Sequence, residues 1–310
     1  MMKKQKILAI VGPSSSGKSA LAIELAKKLG GEVISADSRL IYRELNIGTA
    51  KPSVEEMSNI PHYLIDIKEP TEDYTVAEFL DDSSEKILDI VERKKLPIIA
   101  GGTGLYFRIL LEDYDLPRVA PNEELRAKLE QKTSEELYKM LQELDSESAK
   151  KIHYNNKVKI IRALEVCLTL NRPMSEAQGK KESNFDVFWV GLTAQNRDFL
   201  YDRINQRVEH MVAQGLIEEA KLLFDKYGEL PLLMNTIGYQ ELFPYFMGSC
   251  SLDEAKDQIK QNTRRYAKRQ LSWFRSNRRI NWFNIDEMNL ESIASDIVKK
   301  FSSFPESGNC

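Results

Sequence analysis

Cysteine is scarce: Cys167, Cys250 and Cys310 stand far apart in a chain of 310 residues. With no C-x-x-C pair, neither a zinc site nor a disulfide framework is expected, and a reducing compartment is the natural home. An excess of positive charge is missing too, since 44 Lys and Arg face 47 Asp and Glu for a net charge of −3. A nucleic-acid partner must therefore be met by a local basic patch rather than by the field of the whole molecule. Long apolar runs are also lacking. The first, Ile7-Leu8-Ala9-Ile10-Val11, is too short for a membrane span or a signal segment and leads straight into a glycine loop. A cytoplasmic protein without a membrane partner is expected. What remains is ordinary globular composition, 42% hydrophobic and 29% charged, in a chain long enough for two domains or one with an insertion.

The chain is organised around Gly12-Pro13-Ser14-Ser15-Ser16-Gly17-Lys18-Ser19, which matches G-x-x-x-x-G-K-[ST]. The apolar, β-branched run before it reads as a buried parallel strand, and Ala20–Leu29 after it has helical spacing closed by Gly30-Gly31. Strand, loop and helix start together form an anion site. Lys18 adds a point charge and the Ser19 hydroxyl is placed to hold Mg²⁺. The loop specifies phosphate or diphosphate; it names neither ATP nor a reaction.

Further strands are expected at Glu32–Ala36, Pro61–Ile67, Leu96–Gly101 and Asp186–Leu192, giving an α/β fold with a parallel sheet flanked by helices. Ligands of such sheets gather at the carboxyl ends of the strands. Asp37 falls there beside the loop, as a proton acceptor or as a simple turn cap. Thr103, within Gly101-Gly102-Thr103-Gly104, falls at the same edge. The stretch Arg39–Pro52, broken by Gly48 and Pro52, either concentrates positive charge near the loop through Arg39, Arg43 and Lys51 or is a solvated connection. His62 reads as structural. A helix over Val76–Arg93 would bury Phe79, Leu80, Ile87, Leu88 and Val91. From 116 to 185 the strand–helix alternation stops, so an all-helical insertion is expected there, with 1–115 and 186–310 forming the sheet domain. Its helix from Asn156 to Leu170 has an apolar stripe of Ile160, Ala163, Leu164, Cys167 and Leu168, with Lys157, Lys159 and Arg162 off it. Arg203 and Arg207 share a helix face. A last helix, opening at Ser251 with Glu254 as a capping box and running on to Arg279, carries Arg265, Lys268, Arg269, Ser272 and Arg275 on one face. Basic residues with interleaved aromatics suit phosphate contacts on nucleic acid; cations complementing the helix dipole, a solvated stripe and salt bridges to the sheet domain are the alternatives.

The loop, Asp37-Ser38 with Leu40-Ile41-Tyr42-Arg43, Ile47–Pro52, Pro61–Asp66, Gly101–Tyr106 and Arg265-Tyr266-Ala267-Lys268-Arg269-Gln270-x-x-Trp273-Phe274-Arg275 occur in one order. That set resembles the bacterial tRNA dimethylallyltransferases (tRNA isopentenyltransferases) from about Lys6 to about Phe283. Where the family loop often reads T-A-S-G-K-T, this chain has Ser14-Ser15-Ser16-Gly17-Lys18-Ser19; the eukaryotic relatives' zinc finger is absent.

The resemblance implies a P-loop NTPase-like fold. It implies transfer of a dimethylallyl group from dimethylallyl diphosphate to N6 of the adenosine 3′-adjacent to the anticodon, with Mg²⁺. Asp37, Thr103 and Lys18 would be catalytic, and Gly12 to Ser19 with Arg203 and Arg207 would hold diphosphate. Asp37, Ser38, Arg39, Leu40, Thr103, Arg126, Val158, Lys159, Ile160, Ile161, Arg162, Arg265, Lys268 and Arg269 would meet the tRNA anticodon stem-loop, and a monomer is expected. A P-loop small-molecule kinase is the rival reading. It leaves the basic helix and the insertion without a task. A non-catalytic RNA-binding protein would leave Asp37 and Thr103 without one.

Overall fold

The apolar, β-branched run Ile7–Val11 forms a central strand of the sheet, and the elements that follow flank it. The computed structural model describes residues 4–112, 117–177, 179 and 185–305. In chain order the first half gives β1 (Gln5–Val11), α1 (Lys18–Leu29), β2 (Gly31–Ala36), α2 (Val54–Met57), β3 (His62–Tyr63), α3 (Val76–Glu92), β4 (Leu96–Gly101) and α4 (Gly104–Leu111). Five helices follow without a strand: α5 (Glu123–Glu130), α6 (Ser134–Leu144), α7 (Ser146–Lys151), α8 (Lys157–Leu170) and α9 (Met174–Ala177). The chain then returns through β5 (Phe185–Thr193), α10 (Arg197–Ala213), α11 (Leu216–Tyr227), α12 (Pro231–Met234) and α13 (Leu242–Phe246). It ends with α14 (Leu252–Phe274), β6 (Asn281–Asn284) and α15 (Leu290–Ser302). Two compact units result, Met1–Leu111 with Asn184–Cys310, and Glu112–Ser183. The change-over expected at 115/116, like Cys310, lies outside the described residues.

The first unit holds one sheet of order β3-β2-β4-β1-β5-β6, every pair parallel. Residues Ile7 to Val11 of β1 are fully buried because helices cover both faces. Leu21, Ala22 and Leu25 of α1 pack with Ile293, Ala294 and Ile297 of α15 over Leu8, Ile10, Ile98 and Val190. This order puts the carboxyl end of β4 between those of β1 and β2. The Gly101–Thr103 turn therefore stands between the P-loop and Asp37, which the sequence had placed side by side.

Several expectations change. The third strand is only two residues long, because Leu64 and Asp66 adopt left-handed backbone (φ 60° and 55°) and the chain turns away. On α3 the buried stripe is Phe79, Ser83, Ile87 and Ile90, and Leu88 is exposed. The last helix stops at Phe274 with Arg275 as its C-cap, so Arg278 and Arg279 lie beyond it; a sixth strand and a final helix follow that the pattern did not reveal.

The second unit has its own core, in which Leu129, Leu137 and Leu141 meet Ala149, Ile160, Ile161, Ala163 and Leu164. Its buried Asp145 caps α7 through Ser148 N and accepts from Ser148 Oγ, Ser175 N and Ser175 Oγ. Cys167 is buried, whereas Leu168, assigned to the same stripe, is exposed. No helix among the described residues is long and apolar enough to cross a membrane.

Candidate active site

The P-loop leaves β1 at Gly12 and enters α1 at Gly17, whose φ of 90° is readily adopted only by glycine. The Ser16 amide donates to the Pro13 carbonyl (3.3 Å), which curls the loop. Helices α3, α6 and α14 each begin with a capping box, but α1 begins at a glycine with no side-chain cap. Its first amides thus stay available to an anion, and the positive end of the helix dipole lies with them. The Lys18 ammonium donates to the Pro13 carbonyl at 2.7 Å. Burial in the loop pushes Lys18 down to about 8; the charge of Asp37 pulls it back up and that of Arg207 adds to the depression.

A cavity of about 440 Å³ opens over this loop, lined by Ser15, Gly17, Lys18, Ser19 and Ala20 with Arg203, Gln206, Arg207 and His210 from α10. Positions 203, 206, 207 and 210 form one helix face. Arg203 and Arg207 are thus brought together as expected; Gln206 and His210 were missed, although extending the arginine pair along the helical repeat finds them. Arg203 Nε donates to the Ser15 carbonyl (2.9 Å) and Arg207 Nη2 to the Thr49 carbonyl (3.4 Å). Burial also lowers the pKa of Arg207, partly offset by Asp37. Neither arginine forms an ion pair among the described residues. Both are oriented by neutral acceptors and keep their charge for a ligand.

At the end of β2, Asp37 Oδ1 accepts from the Arg39 amide (2.9 Å). The turn-cap role is therefore real, but it uses one oxygen, and Oδ2 has no hydrogen-bond partner among the described residues. Between Asp37 and the P-loop, the Thr103 amide donates to the Ala36 carbonyl (3.1 Å) and Thr103 Oγ1 accepts from the Ser38 amide (3.0 Å). The turn fits this close because Gly101 has no side chain: a Cβ there would lie 2.2 Å from the Ala36 carbonyl oxygen.

Residues 46–51 are not a solvated connection. The Glu219 carboxylate accepts the successive amides of Asn46, Ile47 and Gly48 (3.1, 2.9 and 2.9 Å) and the Tyr239 hydroxyl (2.7 Å). Lys51 pairs with Asp66 and Arg43 with Glu69, so both are structural, while Arg39 donates to the Asn235 carbonyl. Glu219 carried no sequence signal. His62 contacts the Ile60 carbonyl through Nδ1 (2.8 Å), and burial lowers its pKa, as suits a structural histidine.

Helix α14 presents Arg265, Lys268, Arg269, Ser272 and Arg275 to solvent while Ala267, Gln270 and Phe274 face inward. Its earlier cations, Lys256 and Lys260, pair with Glu209 of α10, so the open positive face belongs to its second half. In the helical unit the assigned residues divide. Val158 and Lys159 are exposed. Ile160 and Ile161 are buried in the core of the unit, so their side chains do not belong to an open surface. Arg126 and Arg162 both bind the fully buried Glu165, Arg126 through Nε at 2.9 Å, and Arg162 also donates to the Val119 carbonyl. Burial raises the Glu165 pKa, but the bonds from Arg126, the Asn122 amide and Arg162 outweigh it and hold it low.

Ser19 borders the cavity and is exposed. Among the described residues no group of three His, Cys, Asp or Glu side chains is arranged to hold a metal. One hydroxyl beside an anion cradle is the donor set of a cation carried largely by substrate oxygens and water, the habit of Mg²⁺. The residues present fit that ion.

Residues 40–277 match the model of the family described as IPP transferase. A tRNA dimethylallyltransferase of Bacillus cytotoxicus is 46% identical over 291 residues, covering 92% of each chain. One of Bacillus anthracis is 46% identical over 292 residues, covering 92% of this chain and 93% of its own. Among solved structures, the full-length tRNA isopentenylpyrophosphate transferase of Bacillus halodurans superposes with a TM-score of 0.72 at 41% identity over 97% of this chain and 98% of its own. A eukaryotic dimethylallyltransferase captured acting on tRNA superposes with a TM-score of 0.85 at 27% identity over 98% of this chain and 81% of its own. With its uncapped α1, its oriented arginines and the Asp37 carboxylate at one sheet edge, the chain belongs to the IPP transferase family.

Proposed function

We propose that this chain transfers a dimethylallyl group from dimethylallyl diphosphate to N6 of the adenosine 3′-adjacent to the anticodon of a tRNA, releasing diphosphate. The observation that carries the reading is the cavity in which Lys18, Arg203 and Arg207 come together at the uncapped start of α1, with the Asp37 charge acting on both Lys18 and Arg207.

The reaction breaks the allylic C–O bond and forms a C–N bond. Negative charge grows on the departing diphosphate. The loop amides, Lys18, Arg203 and Arg207 stabilise that charge, and they are already oriented before the reaction. Ser19 would hold Mg²⁺, which when bound would supply further neutralisation of the leaving group. The exocyclic amine is a poor nucleophile, and its proton must leave as the new bond forms. The second oxygen of Asp37 accepts that proton, a contribution of about 10²–10⁴-fold. Thr103, fixed between Asp37 and the loop, orders the reacting centre.

The adenosine must be unstacked to reach Asp37, so the surrounding loop bases and phosphates are the recognised features. Ser38, Arg39 and Leu40 border the entry. Arg265, Lys268 and Arg269 take RNA phosphates, and in the helical unit the exposed Val158 and Lys159 are further contacts.

The test follows diphosphate release from dimethylallyl diphosphate with Mg²⁺ before and after unmodified tRNA is added. Release that depends on tRNA and is lost in Lys18→Ala supports transfer. No release, together with phosphoryl transfer from ATP to a small acceptor, overturns it.

A further inference from the structure

We propose that Gln270 is a positioning residue of the transfer reaction: one buried amide locks the diphosphate loop against the turn that carries Thr103. The proposal rests on the function given above. Gln270 is 5% exposed in a helix whose neighbouring positions 268 and 269 are open to solvent. Its Oε1 accepts from the Ser14 amide (2.8 Å) and the Ser14 hydroxyl (3.3 Å), while its Nε2 donates to the Gly102 carbonyl (3.1 Å). Both ends of the amide are therefore engaged, and its orientation is set because only the NH₂ end can face the carbonyl.

The turn is shaped to receive this helix. A Cβ on Gly102 would lie 2.1 Å from Gln270 Nε2, and one on Gly104 would lie 2.3 Å from Trp273 Cδ1. Two glycines thus seat α14 against the start of α4. Tyr266 lies where the charges of Asp37, Arg39 and Arg269 all act on its phenol. Gln270 joins the loop that holds the leaving group to the turn beside the base, and sets the span between them. A misplacement of about 1 Å at such a site costs on the order of 10²-fold in rate. The same helix shows Lys268 and Arg269 on its outer side, so the RNA-facing and diphosphate-facing surfaces are two sides of one rigid element.

The isosteric Gln270→Glu keeps an acceptor for Ser14 but sets a carboxylate oxygen against the Gly102 carbonyl. Gly102→Ala pushes the amide away from the other side. We would measure kcat and KM for dimethylallyl diphosphate, competitive inhibition by inorganic pyrophosphate, and thermal melting for both single variants and the double. The expected result is a fall of about 10- to 100-fold in kcat for each, weaker pyrophosphate inhibition, and a double variant no worse than the poorer single one, because both break the same contact. Rates within twofold of the parent enzyme in Gln270→Glu, or a loss that only tracks the folded fraction while KM and pyrophosphate inhibition stay unchanged, would overturn the proposal. Should Gln270→Glu fail to fold, Gly102→Ala carries the same test. Absence of transfer by the parent enzyme would instead contradict the function on which the proposal rests.

Discussion

Two arginine pairs, one in each unit, are held in opposite ways. In the helical unit Arg126 and Arg162 close on Glu165, a fully buried carboxylate that also accepts the Asn122 amide. In the sheet unit Arg203 and Arg207 are held by the Ser15 and Thr49 carbonyls. A carboxylate cancels the charge it binds, so the first pair ties α5 and α8 together. A carbonyl orients a guanidinium and leaves its charge in place, so the second pair remains ready for an anion. A cation's partner, more than its type or position, tells structure from function.

The sharpest break of this comparison comes from Asp37, the carboxylate that stands among the free cations. Asp37→Ala should lower single-turnover transfer by about 10²–10⁴-fold while tRNA affinity, read by filter binding, stays close to the parent value. Loss of binding in proportion to rate would make Asp37 a recognition residue instead.

Next comes Glu165. Glu165→Ala leaves two part-exposed guanidinium groups and the Asn122 amide without their shared acceptor, at a cost of about 1–3 kcal/mol in urea unfolding. Because its folded pKa is lowered, its stabilisation is present above the ordinary carboxylate range and disappears as the pH falls through the folded value. Within the sheet unit, Arg207→Ala should do the reverse. Burial disfavours its charge, so the melting temperature should hold or rise, while KM for dimethylallyl diphosphate climbs by roughly 10- to 100-fold, the worth of one charge-assisted hydrogen bond. A fall in stability without a change in KM would erase the distinction between the two pairs.

Acidity gives a smaller and more specific effect. The Lys18 ammonium, held at about 8, is charged below that pH and loses its proton above it. Affinity of the free protein for pyrophosphate should therefore fall as the pH rises through about 8, by up to about tenfold per unit, with proton uptake on binding. Lys18→Ala should remove the step. The smallest effect belongs to a part outside both arginine sets. Ser251→Ala, which deletes the α14 capping box, should cost about 1 kcal/mol of stability without altering the chemistry.

The sequence made the P-loop, Asp37 and Thr103 legible because each lies within a few residues of its own strand end. The parts it hid depend on contacts far along the chain. Gln270 reaches Ser14 across 256 positions and Gly102 across 168, and Glu219 holds amides 171 to 173 residues away. No local pattern marks such a residue. The apolar run Tyr63-Leu64-Ile65 reads as a strand, but the left-handed backbone at Leu64 and Asp66 ends the pairing. The short strand after Arg279 was masked by the basic run before it. Ile160 and Ile161 show the converse: their motif position pointed to RNA, and their apolar side chains turned to the core.

The central claim is that the cavity over the P-loop serves prenyl transfer to RNA. Mass spectrometry of nucleosides from unmodified tRNA, incubated with the protein, Mg²⁺ and dimethylallyl diphosphate, tests it most directly. The account predicts one adenosine beside the anticodon carrying a dimethylallyl group in place of a hydrogen, and none with Lys18→Ala or Asp37→Ala. Unchanged adenosine with the parent protein, or equal modification by both variants, would contradict it.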